Sequence, residues 1–355
     1  GIVRYITNKP DFEALEGGVQ FYGAGLASSN DTSYGGQGYI NLPITDSLAA
    51  RGVFYKFENA GFIDNLGTGT EDVDTEDTRG GRLALRWQAS DNITFDFTYL
   101  NQKITAGGGQ NAGTQTMAST YTATPFDNAS PFAAPADLAA PSFSNPAYVN
   151  NVNGTSVSKT EAINLSLLVN FETFDLNLLS STQERSFLSV SGAANYVFVH
   201  DGSTTLVQHF DSIFDTKTFE LRLVSTQDGS LDWLAGAWIA DEEGRVPGFI
   251  DVQDSLDPII FGCCLLSDGD VLRDSEERDD EKEISGYAEV GYRFMDQFRV
   301  SLGYRRSHLE LDQGVIKANG SLALVDPSRI GVDESTSEDI NTYKVTAEYT
   351  LNDDL

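Results

Sequence analysis

"ITFDFTYL", residues 93–100, puts Ile93, Phe95, Phe97 and Tyr99 at alternate positions with Thr94, Asp96 and Thr98 between them. Successive side chains of a strand point to opposite sides, so the stretch predicts a strand with one apolar and one polar face. The pattern returns in "QFRVSLGYRR" (297–306), where Phe298, Val300, Leu302 and Tyr304 oppose Arg299, Ser301, Gly303 and Arg305. It returns again in "TYKVTAEYTL" (342–351), where Tyr343, Val345, Ala347, Tyr349 and Leu351 oppose Lys344, Thr346, Glu348 and Thr350.

Segments of this kind predict about twelve strands, near 15–28, 34–45, 47–60, 80–90, 93–106, 157–171, 174–187, 214–226, 231–241, 282–295, 297–311 and 339–352. Orientation in the first three is ambiguous, because "LAARGVFYKF" (48–57) carries apolar residues on both faces. Short connections ("ITDS", "ASDN", "FETF", "QDGS", "FMDQ") alternate with longer ones, modest at 29–33 and substantial at 61–79, 107–156, 188–213, 242–281 and 312–338. Loops this long are uncommon in compact soluble domains, and nothing in a sandwich or propeller makes them alternate with tight turns. An up-and-down membrane barrel does: tight turns face one side of the bilayer, long loops the other. Such a barrel also pairs every backbone N–H and C=O within lipid without a helix.

The expected fold is therefore all-β, an antiparallel up-and-down transmembrane β-barrel truncated to about twelve strands. It should form an open, strongly curved sheet whose first and last strands are unpaired edges. Trp87, Tyr99, Trp233, Trp238, Tyr292, Phe294, Phe298, Tyr304, Tyr343 and Tyr349 lie in or at the ends of these strands, where interfacial girdles would put them.

Composition narrows the function. The 355 residues are 40% hydrophobic and 11% aromatic, yet no run approaches the roughly 18 apolar residues of a spanning helix. With 23 Lys+Arg against 53 Asp+Glu the formal charge is −30, which would repel nucleic acid. The cysteines are the adjacent pair Cys263 and Cys264, open to reading as a vicinal disulfide or as two loop thiols. With three His in the chain they supply no zinc ligand set. No nucleophile elbow or HExxH occurs, so no catalytic residue, no metal and no cofactor is predicted. "TEDVDTEDT" (70–78) spaces Asp72, Asp74 and Glu76 like a calcium loop, but Asp77 stands where an EF-hand needs Gly and Leu83 where it needs Glu. A solvated acidic loop or a loose cation site are the readings left, and "RDSEERDDE" (273–281) reads likewise.

Four stretches together resemble the TonB-dependent outer-membrane receptors. "GIVRYITNKP" (1–10) resembles the end of that family's plug domain leading into the first barrel strand, and "AGFIDN" (60–65) resembles a stretch common in an extracellular loop. "FELRLVS" (219–225) followed by "DGSLDWLAGAWIADEE" (228–243) resembles paired mid-barrel strands. The resemblance implies a fragment: residues 1–13 as the end of the plug, with Ile2 to Asn8 a plug strand, and 14–355 as roughly the first half of the barrel. It implies a receptor in the outer membrane of a Gram-negative bacterium, set among outer-membrane lipid and lipopolysaccharide. Such a receptor binds a scarce small-molecule or metal-chelate substrate, above all a ferric siderophore. It imports that substrate with energy from the TonB–ExbB–ExbD complex, which would act through the part of the protein before Gly1.

Within that reading, Glu220, Arg222, Glu289, Arg293, Arg299, Arg305, Lys344 and Glu348 fall on the lumen face. They are candidates for contact with plug or substrate, or for cross-strand pairs that solvate the wall. In the loop "YTATPFDNASPFAAPADLAAPSFSNPAYVNN" (121–151), Tyr121, Phe126, Phe132, Phe143 and Tyr148 are candidates for ligand contact. A passive porin, a structural or adhesin barrel, and a soluble all-β binding domain are the competing readings.

Overall fold

The computed structural model describes residues 7–27, 29–65, 68–108, 147–148, 152–192, 205–227, 229–253, 259–261, 264–266, 269–294, 297–319, 331 and 333–350. Strands account for most of them: β1 (Glu16–Gly25), β2 (Thr32–Thr45), β3 (Leu48–Asn59), β4 (Asp64–Asn65), β5 (Glu76–Ser90), β6 (Ile93–Gly107), β7 (Ala147–Tyr148) and β8 (Thr155–Asn170). There follow β9 (Phe174–Gly192), β10 (Thr205–Ser225), β11 (Leu231–Gln253), β12 (Ile259–Phe261), β13 (Cys264–Leu266), β14 (Val271–Phe294), β15 (Phe298–Asn319) and β16 (Asp333–Tyr349). Twelve form one antiparallel sheet in the order β1-β2-β3-β5-β6-β8-β9-β10-β11-β14-β15-β16. Every ladder of this sheet joins strands that follow one another along the meander. The sheet is open: β1 pairs with β2 and β16 with β15, each on one side only.

Register sorts side chains into two faces. On one lie Phe54, Leu165, Ile239, Leu302 and Val345, with exposures of 60%, 52%, 47%, 60% and 73%. Large apolar residues exposed over a whole sheet face make a surface suited to lipid, not to water. The other face carries residues 7–14, held there by the contacts described below, and is the inner wall.

The outer apolar band crosses the hydrogen-bonded rows obliquely. The row starting at Leu48 in β3 passes through Trp87, Phe95, Leu167, Leu178, Leu221, Ala237, Gly286 and Arg306 to Asn341 in β16. Leu48 marks the lower edge of the band on β3, but on β16 that edge is Tyr349, eight residues beyond Asn341. Eight residues over nine strand steps is about 26 Å along the strands against about 43 Å across them, a slant of about 30°. This is near the strand tilt at which membrane barrels close, so a level hydrophobic belt and tilted strands coincide. Aromatic rings line the short-turn end of the belt: Trp87 and Phe95 stack at 5.4 Å, Phe171 and Phe174 at 4.7 Å, and Tyr292 meets Phe294 at 4.7 Å.

Above the band, the first two outward positions hold a base on seven strands: Lys56, Arg79, Lys103, Lys159, Lys217, Lys282 and Arg306. The strands then run on. β10, β11, β14 and β15 are 21 to 24 residues long, so parts of 188–213, 242–281 and 312–338, expected as loops, are ladder instead. "RDSEERDDE" (273–281) lies wholly within β14. Backbone pairing does not require apolar side chains, and outside lipid a strand can be charged on both faces. Cys263 lies outside the described residues; Cys264 begins β13.

The structure also resolves the first three strands. Tyr22, Tyr39, Tyr55 and Phe57 point to the inner wall while Val19, Phe21, Ile40 and Phe54 point outward, so both faces are apolar for different reasons. Trp238 is a correction. It pairs with Glu220 and Ser285 on the inner wall and does not join the outer girdle.

Candidate functional site

The inner wall of β2, β3, β5 and β6 is built around the segment that precedes β1. Asn41, fully buried, receives the Asp11 N–H on its Oδ1 (2.9 Å) and donates from Nδ2 to the carbonyls of Asp11 (2.9 Å) and Ala14 (2.7 Å). Arg82 donates to the Asn8 carbonyl at 2.9 Å. Lys9 pairs with Asp96 at 3.2 Å, and Arg86 approaches the same carboxylate at 3.6 Å. Pro10 is buried. An extended segment with no strand partner is thus satisfied by side chains of the wall, which fixes where it enters the lumen. A cavity of about 400 Å³ remains between Thr7–Pro10 and a wall that includes Arg82, Asn164, Glu220 and Trp238.

On β10 to β16 the same face carries all eight charged residues expected to line a lumen. They pair among themselves and with neighbours the sequence did not single out. Arg222 bonds Glu220 at 3.1 Å, and the Tyr287 hydroxyl donates to that carboxylate. Arg305 donates to Glu283 (2.6 Å) and to Ser285 (3.0 Å), whose hydroxyl is 2.8 Å from that of Ser307. Lys344 meets Glu289 at 3.0 Å. Arg299 grips both oxygens of Asp232, with Nε to Oδ2 at 2.9 Å, and reaches Glu348 at 3.2 Å. Arg293 has no ion pair among the described residues. Most of this wall is locally neutral, so an arriving charged group must compete with existing partners there.

No protein-family model matches the sequence, and no curated protein matches it. Solved structures do match in fold. The ferric yersiniabactin uptake receptor FyuA of Yersinia pestis superimposes with a TM-score of 0.71 at 16% identity over 98% of this chain and 46% of its own. The TonB-dependent receptor barrel is the fold of this chain. The open form of the ferric-catecholate import receptor Fiu of E. coli K12 gives 0.63 at 14% identity, covering 98% of this chain and 54% of its own. The copper transporter OprC gives 0.58 at 10%, covering 97% and 44%. The chain spans about half the length of the solved structures it matches.

In this receptor fold the outer end carries a clasp that joins "AGFIDN" to the acidic run. Asp74 Oδ1 accepts the N–H groups of Phe62 (2.6 Å) and Ile63 (2.7 Å). Asp72 Oδ2 accepts the N–H of Asn30 (2.8 Å), and Asp64 accepts that of Asp72 (3.1 Å). Asn65, fully buried, donates to Asn153 Oδ1 at 2.9 Å. Asp72 sits at φ 53°, a left-handed conformation that Asp tolerates better than most residues. Asp72 and Asp74, read from spacing as a solvated loop or a cation site, are therefore acceptors for backbone amides. Among the described residues no group of three or more His, Cys, Asp or Glu is placed to hold a metal ion.

Of the loop residues proposed for ligand contact, Tyr121, Phe126, Phe132 and Phe143 lie outside the described residues. Tyr148 lies in β7, whose backbone runs parallel to β4 opposite Asn65. The inner wall instead shows an aromatic patch, with Tyr22 5.6 Å and Tyr55 6.0 Å from Phe57. An inward aromatic run beside outward Phe54 destroys the two-face contrast, which hid the patch from periodicity. Gly35 lies under it, where a Cβ would collide with the rings of Phe57 and Tyr22.

On the outer face above the belt, His308 is clamped by Asp339 (Nδ1, 2.9 Å) and Glu310 (Nε2, 3.3 Å). Those carboxylates, Asp339 foremost, raise its pKa above the ordinary 6.5. A raised folded-state pKa stabilises the fold fully below the unfolded value, and that contribution is lost as pH rises through the folded one. An NMR titration should find the imidazole protonated to higher pH than in a model peptide, with the difference reduced in Asp339→Asn and lost when Glu310→Gln is added. A midpoint at or below 6.5 would contradict the clamp.

Proposed function

We propose that this chain is the plug exit and roughly the first half of the barrel of an outer-membrane receptor that imports a scarce chelate, a ferric siderophore first among the candidates. Energy would come from the TonB–ExbB–ExbD complex. The observation that carries this reading is the path of Thr7–Ala14, bound against the inner wall by Asn41, Arg82 and Asp96. A plugged receptor must join its plug to the first barrel strand along the inner wall, which is the path this segment takes. On this reading residues 1–13 belong to the plug and 14–355 to the barrel. The short turns face the periplasm, and the work is transport, not catalysis. FyuA and Fiu, named for ferric ligands, support iron, and OprC, named for copper, keeps other metal chelates in view. The bases above the belt would meet anionic headgroups of outer-membrane lipid or lipopolysaccharide.

The test uses the full-length protein in cells, a panel of radiolabelled ferric siderophores and a protonophore. Accumulation should stop when the proton-motive force collapses while surface binding persists. Uptake that continues unchanged would mean a passive pore and end the importer reading.

A further inference from the structure

We propose that a recess in the outer face of β5 to β10 seats one acyl chain of a phospholipid whose headgroup carries an ammonium group. The inference goes beyond import, and it rests on the reading of this face as the lipid side of a membrane barrel whose tight turns meet the periplasm.

The recess is an apolar cavity of about 600 Å³, within the range of about 300–1,000 Å³ in which proteins hold single small ligands. The stacked rings of Trp87 and Phe95 stand at its end nearest the tight turns, and Leu165, Leu178 and Phe219 continue its wall. Register accounts for the hollow. Leu165, Ser180 and Phe219 lie side by side in one row across β8, β9 and β10, so a small side chain stands between two large ones. Trp87, Leu165 and Phe219 are among the exposed apolar residues of the outer face, and no described part of the chain covers them.

The occupant follows from what the recess offers. A lipid tail is as apolar as these side chains, so exclusion from water does not favour the recess over the surrounding bilayer. Shape does. An unfilled hollow forfeits dispersion contacts along its wall, and a chain lying in it regains them on several sides at once. Water is no substitute, because an apolar lining gives it no hydrogen-bond partners. The headgroup follows from charge. Leu48, two residues after Asp46, lines the recess, as do Trp87 and Phe95, four residues to either side of Asp91. Asp46, Asp91 and Glu172 are the exposed acids of the β2–β3, β5–β6 and β8–β9 turns, and no Lys or Arg lies within two residues of any of them. A headgroup of net negative charge is repelled at such a rim, whereas an ammonium group donates charge-assisted hydrogen bonds to the carboxylates.

The test reconstitutes the full-length protein in nanodiscs of phosphatidylethanolamine or of phosphatidylglycerol with the same acyl chains, and counts the lipids retained on release by native mass spectrometry. Barrel integrity is read from the mobility of unboiled protein on gels. One phosphatidylethanolamine should stay bound, with phosphatidylglycerol retained about tenfold less, the change expected from one charge-assisted hydrogen bond. Ser180→Phe, which fills the hollow, should lower retention about tenfold or more, and Ser180→Ala, which leaves it open, should not. Asp46→Asn/Asp91→Asn/Glu172→Gln should keep the chain and erase the preference between the two lipids. Retention in folded Ser180→Phe equal to that of the wild type would overturn the seat, and equal retention of both lipids by the wild type would overturn the headgroup assignment. A dimer that Ser180→Phe disperses would give the recess to a second copy and end the proposal. The importer reading stands apart: it fails on protonophore-insensitive uptake, whatever lipid is retained.

Discussion

Reconstituted alone into liposomes, the 355-residue chain is expected to take up no chelate and to resist dispersal as an inserted monomer. β1 and β16 each pair on one side, and the stretch Tyr343–Tyr349 of β16 lies at the level of the apolar belt. Its outer-edge N–H and C=O groups would meet hydrocarbon, where each unpaired group costs several kcal/mol. Several such groups on each of two edges exceed the net stability of an ordinary domain, about 5–15 kcal/mol. The sheet must therefore find partners, either further strands, as the proposed function supplies them, or the edges of other copies. The measurement is flotation of proteoliposomes, crosslinking, and uptake of a labelled chelate. A monomeric, inserted chain that transports would show that the sheet closes on itself.

A single methyl group at Gly61 should unlatch the outer clasp. A Cβ there would run into the Asp72 carbonyl and stand 2.8 Å from Asp74 Oδ1. Neither can retreat cheaply, because Val73 donates to the Ile63 carbonyl at 2.8 Å and Asp74 holds two amides. Hydrogen bonds to a charged acceptor contribute about 1.5–3 kcal/mol each. Loss of one or both in Gly61→Ala corresponds to a fall in amide protection at Ile63 and Val73 of roughly 100-fold. Asp74→Asn keeps an oxygen acceptor without its charge and should lose less. Exchange in β9 to β16 should not change. Protection that survives in Gly61→Ala would mean the clasp is not held as described.

The parts of this fold that the sequence disclosed are those where the two faces of a strand meet different solvents. Within the belt, Phe298 to Tyr304 and Tyr343 to Tyr349 alternate because lipid and lumen impose opposite demands, and register, turns and the eight inner charges follow from parity. Above the belt both faces meet water. The contrast fades although the ladder continues, so the ends of β10, β11, β14 and β15 were misread as loops. Trp238 was legible on stricter parity. Trp233 and Trp238 are five positions apart, an odd separation that puts them on opposite faces of one strand. Asn41 and Arg82 were hidden because nothing local distinguishes an inward polar residue that binds a distant segment from one that does not. That distinction lies between elements far apart in sequence, as does the use of Asp72 and Asp74 as backbone acceptors.

The contacts of the entry segment also order events in time. The twelve-stranded sheet is a chain of closures between successive strands, of which those across the tight turns cost least and come first. Lys9–Asp96 and Arg82–Asn8 instead span 87 and 74 residues. They cannot form until β5 and β6 are paired and the inner wall exists to receive them. A segment made before any strand of the sheet is thus among the last to find its place, and until β5 and β6 are paired its site on the inner wall stands open.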